Sequence, residues 1–203
     1  MWSRDRFDGG SGNSAIMGEV YVGTKFRTVF ARRAVSGDER LGELLNWCRR
    51  WAALGLVGDT VGNLSFRTGN GFLINRTAGD LGGITRQEFV EVVYAEPDRA
   101  ELTVVGLYEP SSESLMHAGI YAARPEINAV FHGHSDRLLA EAERLGLPIT
   151  AREQPYGTTE LVAEILSALD GRRFVVMRNH GFVSFGTTMK EAGREAEEIL
   201  RRV

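Results

Sequence analysis

The residues best suited to bind a metal ion or move a proton fall in three short stretches. These are Pro110-Ser-Ser-Glu-Ser-Leu-Met-His117, Asn128-Ala-Val-Phe-His-Gly-His-Ser135 and Arg178-Asn-His-Gly181, and together they hold all four histidines of the chain. His132 and His134 follow the apolar run Ala129-Val130-Phe131, which reads as a buried strand. Side chains two apart on a strand leave the same face, roughly 6.5–7 Å from one another. Two imidazoles held that way can converge on one ion at about 2.0–2.1 Å per Zn–N bond. A plainer reading of the pair is a strand end with two partly exposed polar side chains, and a lone His180 is as easily a hydrogen-bonded structural residue. Taken together, His132, His134, His180 and Glu113 form a three-histidine, one-carboxylate set. That set is a reasonable zinc shell with capacity for a substrate oxygen.

Pro110, Ser111, Ser112 and Glu113 have the chemistry of a helix N-terminus. The same geometry leaves backbone N–H groups and hydroxyls directed outward, which suits an anion such as phosphate. Glu113 and His117, four apart, share one helix face.

Several elements must position these groups. Apolar–polar alternation between Glu19 and Val35 suggests one or two strands. Asp38 caps a helix whose apolar stripe is Leu41, Leu44, Leu45, Cys48, Trp51, Ala52 and Leu54, stopped at Gly55. On that stripe Cys48 is a small hydrophobe without a catalytic role. Residues 62–67 and 71–75 form a hairpin, Thr85-x-x-Glu88 a capped turn, and residues 90–94 and 102–106 two further strands. A helix runs from Pro110 to about Ala123, and another starts at Ser135 with Leu138, Leu139, Ala142 and Leu145 on one face. A helix over 158–169, strands over 174–177 and 182–185, and a charged helix from Thr188 complete the pattern. Helices interleaved with hairpin-like strand pairs predict a mixed sheet covered by helices. Residues 1–16, rich in Gly and Ser, read as a disordered N-terminus, with one domain over 17–203.

Composition narrows the class. With 203 residues, 43% hydrophobic and 25% charged, this is an ordinary globular chain. A formal charge of −3 provides no electrostatic footprint for nucleic acid. Apolar runs fall short of the ~20 residues of a membrane helix, and the first residues lack a signal-peptide core. A single cysteine cannot pair internally, which points to a reducing cytoplasm.

Four motifs occur in order: Gly62-Asn-Leu-Ser65, Pro110-Ser-Ser-Glu113-x-x-x-His117, His132-Gly-His134 and Arg178-Asn-His180-Gly181. With Ile120-Tyr-x-x-Arg-Pro125 and Tyr156-Gly-Thr-Thr-Glu-Leu161, this set resembles the class II aldolase/adducin family, nearest its L-fuculose-1-phosphate aldolase-like enzymes, from about Asp38 onward. The resemblance implies a three-layer α/β/α fold around a mixed, largely antiparallel sheet. It implies Zn²⁺, or another divalent ion such as Mn²⁺ or Co²⁺, on His132, His134 and His180, with Glu113 as resting ligand and catalytic base. It places a substrate phosphate on Gly62, Asn63, Thr77, Ala78, Ser111 and Ser112, and implies a homotetramer with a small phosphorylated sugar as substrate.

The implied reaction is retro-aldol cleavage of a phosphorylated ketose through a metal-stabilised enediolate. Sugar-phosphate 4-epimerase or dehydratase chemistry on the same metal is the alternative, followed by an adducin-like interaction domain that keeps the fold without the metal. The chain departs from the pattern in three places. Ala78 stands where the family has glycine, with Gly79 one position later; residues 147–156 are short and carry no counterpart of the family's proton-donating tyrosine; and the sequence stops at Val203 without a covering tail.

Overall fold

The computed structural model describes residues 23–58 and 60–203. The expected disordered stretch 1–16 lies outside the described residues, as does the first part of the segment 19–35, where one or two strands are expected. The remainder of that segment carries β1 (Arg27–Arg32). After it come α1 (Leu41–Ala53), β2 (Asn63–Arg67), β3 (Phe72–Asn75), β4 (Phe89–Glu96), β5 (Glu101–Val105), α2 (Ser114–Ala123) and β6 (Ala129–Gly133). The chain closes with α3 (Asp136–Glu141), α4 (Thr159–Leu169), β7 (Phe174–Met177), β8 (Gly181–Gly186) and α5 (Met189–Leu200).

The strands make one eight-stranded sheet in the order β1-β5-β4-β3-β2-β6-β8-β7. Among the described residues only β1 and β5 pair as parallel strands; every other strand neighbour is antiparallel. The expected mixed, largely antiparallel sheet is therefore present, and helices pack on both of its faces. Period-two alternation sorts the side chains between them. Leu64, Phe66, Phe131, Val176 and Phe182 join α1, α3 and α5 in one core. Ile74, Val130, Val175, Met177 and Val183 join α2 and α4 in the other.

Local signals explain most element ends. Helix α1 starts at Leu41, with Asp38 Oδ1 accepting the Arg40 amide at 2.9 Å instead of serving as the cap residue itself. It stops in a Schellman turn: Gly55 takes φ +69°, and the Leu56 amide donates to the Trp51 carbonyl at 3.0 Å. Ser135, Thr158 and Thr188 cap α3, α4 and α5 through their side-chain oxygens. Thr85 and Glu88 form the expected capping box around the short turn 86–88.

One helix begins later than its sequence suggests. The stretch 110–113 is not yet helical; α2 opens at Ser114, and Glu113 occupies the cap position without capping through its side chain. Instead the Ser111 amide donates to the Asn75 carbonyl at 2.9 Å, tying this turn to β3. The Glu113 carboxylate is engaged elsewhere, as described next.

Candidate metal centre

Strand β6 lies near the middle of the sheet, between β2 and β8. His132 is completely buried on it, and His134 follows just beyond its end, where its amide donates to the Leu56 carbonyl at 2.8 Å. Gly133 between them points to the opposite face. A Cβ there would come within 2.9 Å of the Leu56 carbonyl and the Phe182 ring, and 3.2 Å of Trp51. Close packing by α1 thus demands glycine between the two histidines. His180 closes the turn from β7 to β8, its amide donating to the Met177 carbonyl at 3.1 Å, after Asn179 in the left-handed region at φ +57°.

The three imidazoles, 48 residues apart at their extremes, meet with ring centroids 4.7, 5.1 and 5.2 Å apart. Their nitrogens lie within 4.8 Å of one another and could hold a metal ion. Glu113 faces them: Oε2 is 3.0 Å from His132 Nε2, and Oε1 is 3.2 Å from His180 Nε2. All four sequence-proposed ligands therefore converge.

Two observations test whether this donor set fits a cation. His132 Nδ1 lies 2.9 Å from the Phe182 carbonyl, an acceptor, so Nδ1 carries the N–H and Nε2 presents its lone pair to the cluster. Glu113 Oε1 is buried and, although within ion-pair range of His180, lacks hydrogen-bond geometry to any donor. A cation would satisfy both. The electrostatics agree. Burial pushes the Glu113 carboxyl up, yet the electrostatic pull and hydrogen bonding of the adjacent His132 and His180 more than offset this and hold it well below the ordinary range. Burial, followed by the charges of His132 and His180, brings His134 down to about 3, so it offers a lone pair.

The cluster sits at the base of a cavity of about 210 Å³, lined by Glu113, His134 and His180. Gly62, Asn63, Thr77, Ala78, Ser111 and Ser112, the residues assigned to phosphate by resemblance, line the same cavity. Gly62 takes φ +85°, and a Cβ there would meet Val57 at 2.4 Å. Ala78, standing where the family has glycine, adopts the left-handed conformation glycine favours, at φ +49°. Asn63 is differently employed from the expectation: its Nδ2 donates to Glu113 Oε2 at 2.6 Å, and its Oδ1 lies 2.5 Å from His117 Nε2.

Sequence reasoning assigned no site role to two contributors and placed a third without its partners. Arg76 lines the cavity and braces its rim, donating to the Thr77 carbonyl at 3.1 Å while pairing with Glu88 at 2.9 Å. Its place next to Thr77 was the available signal. Tyr156, read as part of a structural motif, is also in the wall. Its hydroxyl donates to the Gly23 carbonyl at 3.0 Å, and Lys25 Nζ lies 3.7 Å from its ring centre. The third is His117, which the sequence sets on one helix face with Glu113; it is completely buried behind Asn63, where burial brings its pKa down to about 3 against the pull of Glu113. Cys48 is buried in the core of α1, and burial pushes its thiol up, in keeping with a packing role. Among the described residues no helix is long and apolar enough to cross a membrane.

Residues 42–202 match the model of the class II aldolase and adducin N-terminal domain. A 5-methylthioribulose-1-phosphate/5-deoxyribulose-1-phosphate aldolase from Rhodospirillum rubrum is 31% identical over 172 residues, covering 77% of this chain and 75% of the relative. A methylthioribulose-1-phosphate dehydratase from Methylococcus capsulatus is 29% identical, covering 80% and 90%. A 3,4-dihydroxyphthalate decarboxylase from Arthrobacter keyseri is 28% identical, covering 75% and 71%. Among solved structures, an L-fuculose 1-phosphate aldolase superposes with a TM-score of 0.70 at 23% identity, covering 82% of this chain and 84% of that one, which shows the shared fold. Relatives at similar distance thus include aldolases, a dehydratase and a decarboxylase. Fold, motif order and family match agree, and the chain belongs to the class II aldolase/adducin family.

Proposed function

We propose that this protein is a metal-dependent lyase of the aldolase type, cleaving a phosphorylated ketose by a retro-aldol reaction. The observation that carries the reading is the buried Glu113 carboxylate facing three convergent histidines at the base of a cavity. His132, His134 and His180 would hold a divalent cation, Zn²⁺ or a neighbour such as Mn²⁺ or Co²⁺, with Glu113 as the fourth ligand at rest. Bound there, the ion supplies positive charge for the oxygens that become anionic as the C–C bond breaks.

This chain's residues do the rest. Glu113, ionised and held between Asn63 and the histidines, accepts and returns the proton at the carbon or hydroxyl next to the carbonyl. Ser111 and Ser112, the rim at Thr77 and Ala78, and the backbone at Gly62 and Asn63 receive the phosphate, and Arg76 adds positive charge beside it. That grip supplies binding which does not depend on the reacting carbon. Support for a ketose 1-phosphate comes from the relatives, since the aldolase and the dehydratase are both enzymes of methylthioribulose 1-phosphate.

Dehydration at the same centre is the second reading, favoured by the dehydratase's 90% coverage. The reading further includes a homotetramer working in the cytoplasm. The test is metal analysis of the purified protein, followed by a panel of ketose 1-phosphates assayed with added Zn²⁺, Mn²⁺ or Co²⁺. Aldehyde release is the expected result. Water loss without C–C cleavage would establish the dehydratase, and absence of a stoichiometric divalent ion would end the enzyme reading.

A further inference from the structure

Behind the carboxylate runs a line of buried polar side chains that none of the motif assignments explains. Glu113 Oε2, Asn63, His117, Ser65 and Tyr121 follow one another at 2.6, 2.5, 2.6 and 2.8 Å. Each of these residues is more than nine-tenths buried. They come from two elements only, β2 and α2, and the line ends within an otherwise apolar core.

The direction of every hydrogen bond in this line follows from its first member. A carboxylate only accepts, so the Asn63 atom facing Glu113 is the NH₂ group. The Asn63 oxygen then faces His117 Nε2, which must carry a proton. A ring with its single proton on Nε2 has a bare Nδ1, so the Ser65 hydroxyl donates to it at 2.6 Å in preference to the Val130 carbonyl at 3.4 Å. Ser65 Oγ is left to accept from the Tyr121 hydroxyl at 2.8 Å. All donors therefore point toward the carboxylate. Reversing any one of them would set two donors or two acceptors face to face in a water-free interior, at a cost of about 1–3 kcal/mol.

We propose that His117 is a positioning residue: held by Ser65 and Tyr121 with its proton on Nε2, it locks the Asn63 amide so that its NH₂ group clamps Glu113 Oε2 toward the three histidines. Resting on the metal-centre reading above, the inference adds that carboxylate orientation is set two residues away, in the core. The chemistry at His117 is that of an outer partner, which orients a ligand without touching the ion.

Glutamine provides the discriminating substitution, because its amide can donate to Asn63 and accept from Ser65 as the ring does. Leucine can do neither. Apo-protein of wild type, His117→Leu and His117→Gln is titrated with Co²⁺ and followed by its visible absorption. His117→Leu is expected to bind roughly 10–100-fold more weakly with an altered spectrum, and His117→Gln to recover most of the affinity. Equal Co²⁺ affinity in His117→Leu and wild type overturns the proposal, whatever happens to thermal stability. Equal weakening in both variants overturns it too, since packing alone would then explain the loss.

Should His117→Leu fail to fold, ring ¹⁵N–¹H correlation spectra of the wild-type apo-protein decide independently. A proton on Nε2 alone is expected, and an Nδ1–H tautomer or a doubly protonated ring refutes the lock. Failure of wild type to bind Co²⁺ at all counts against the metal-enzyme reading, and the ring spectrum still judges His117.

Discussion

The two faces of β2 show how differently the same strand can be used. Leu64 and Phe66 project into the core shared by α1 and α5, where Trp51 packs its ring against Phe131 and Phe182 at centroid distances of 5.4 and 5.6 Å. Asn63 and Ser65, one residue out of phase, project toward α2 and are just as deeply buried. The first face is held by apolar contact, which is non-directional and tolerant of repacking. The second is held by hydrogen bonds that work only with every partner present and pointing the right way. A strand can thus carry foldedness on one side and chemistry on the other, and substitutions on the two sides should register in different measurements.

The largest separation is expected at Glu113. Glu113→Gln should lower turnover of a ketose 1-phosphate by about 10²–10⁴-fold, the range of a lost general base, measured with the divalent ion in excess so that weaker metal binding does not account for the loss. Undiminished exchange of solvent deuterium next to the carbonyl would move the base elsewhere. On the apolar face the pattern inverts. Phe131→Ala, at a fully buried ring, should destabilise by about 3–5 kcal/mol in urea unfolding. A loss below about 1 kcal/mol would mean that α1 and α5 contribute less to this core than their contacts imply.

At the rim the effect is smaller and of opposite sign. Ala78→Gly removes a left-handed alanine and should gain up to about 1 kcal/mol, read as a higher urea midpoint at unchanged slope. A lower midpoint would show that the Ala78 methyl is worth more than its strain.

The smallest effect lies outside both faces. The Asp38 carboxyl is held below its ordinary value of 3.8, chiefly by its hydrogen bond with Arg40. For Glu88, burial pulls upward, but Arg76 and Thr85 prevail and hold it below 4.5. Acids depressed in the folded state stabilise fully above their unfolded values and lose that contribution as pH falls through the folded ones. An Asp38→Asn/Glu88→Gln protein should therefore melt slightly earlier than wild type at pH 7 and together with it near pH 3. A gap that widens toward low pH would reverse the assignment.

The architecture was legible because its signals are local. Apolar runs at 129–131, 174–177 and 182–185 gave strands, the stripe from Leu41 to Trp51 gave α1, and Ser135, Thr158 and Thr188 gave helix starts. The donor set at Glu113, His132, His134 and His180 was legible from residue types and motif order, and the structure brings it together. Two things were not legible. Ser65 and Asn63 alternate with Leu64 and Phe66 as any half-exposed strand does, and nothing in that pattern tells that α2 covers the polar side. Glu113 reads as an early helix carboxylate, whereas its cap duty is forgone because Asn63 and two histidines compete for it from distant elements. Both concern partners from other elements, fifty residues away for Asn63 and Glu113 and 52 for Ser65 and His117, which spacing along the chain does not encode.

The grip of Tyr156 on Gly23 has a practical consequence for anyone handling the protein. Because Tyr156 is in the cavity wall, cutting the chain back past Gly23 and Lys25 would remove contacts that hold that wall in place. Val203 packs against the α1–α5 core, so trimming at that end would be felt in core packing instead of in the cavity wall.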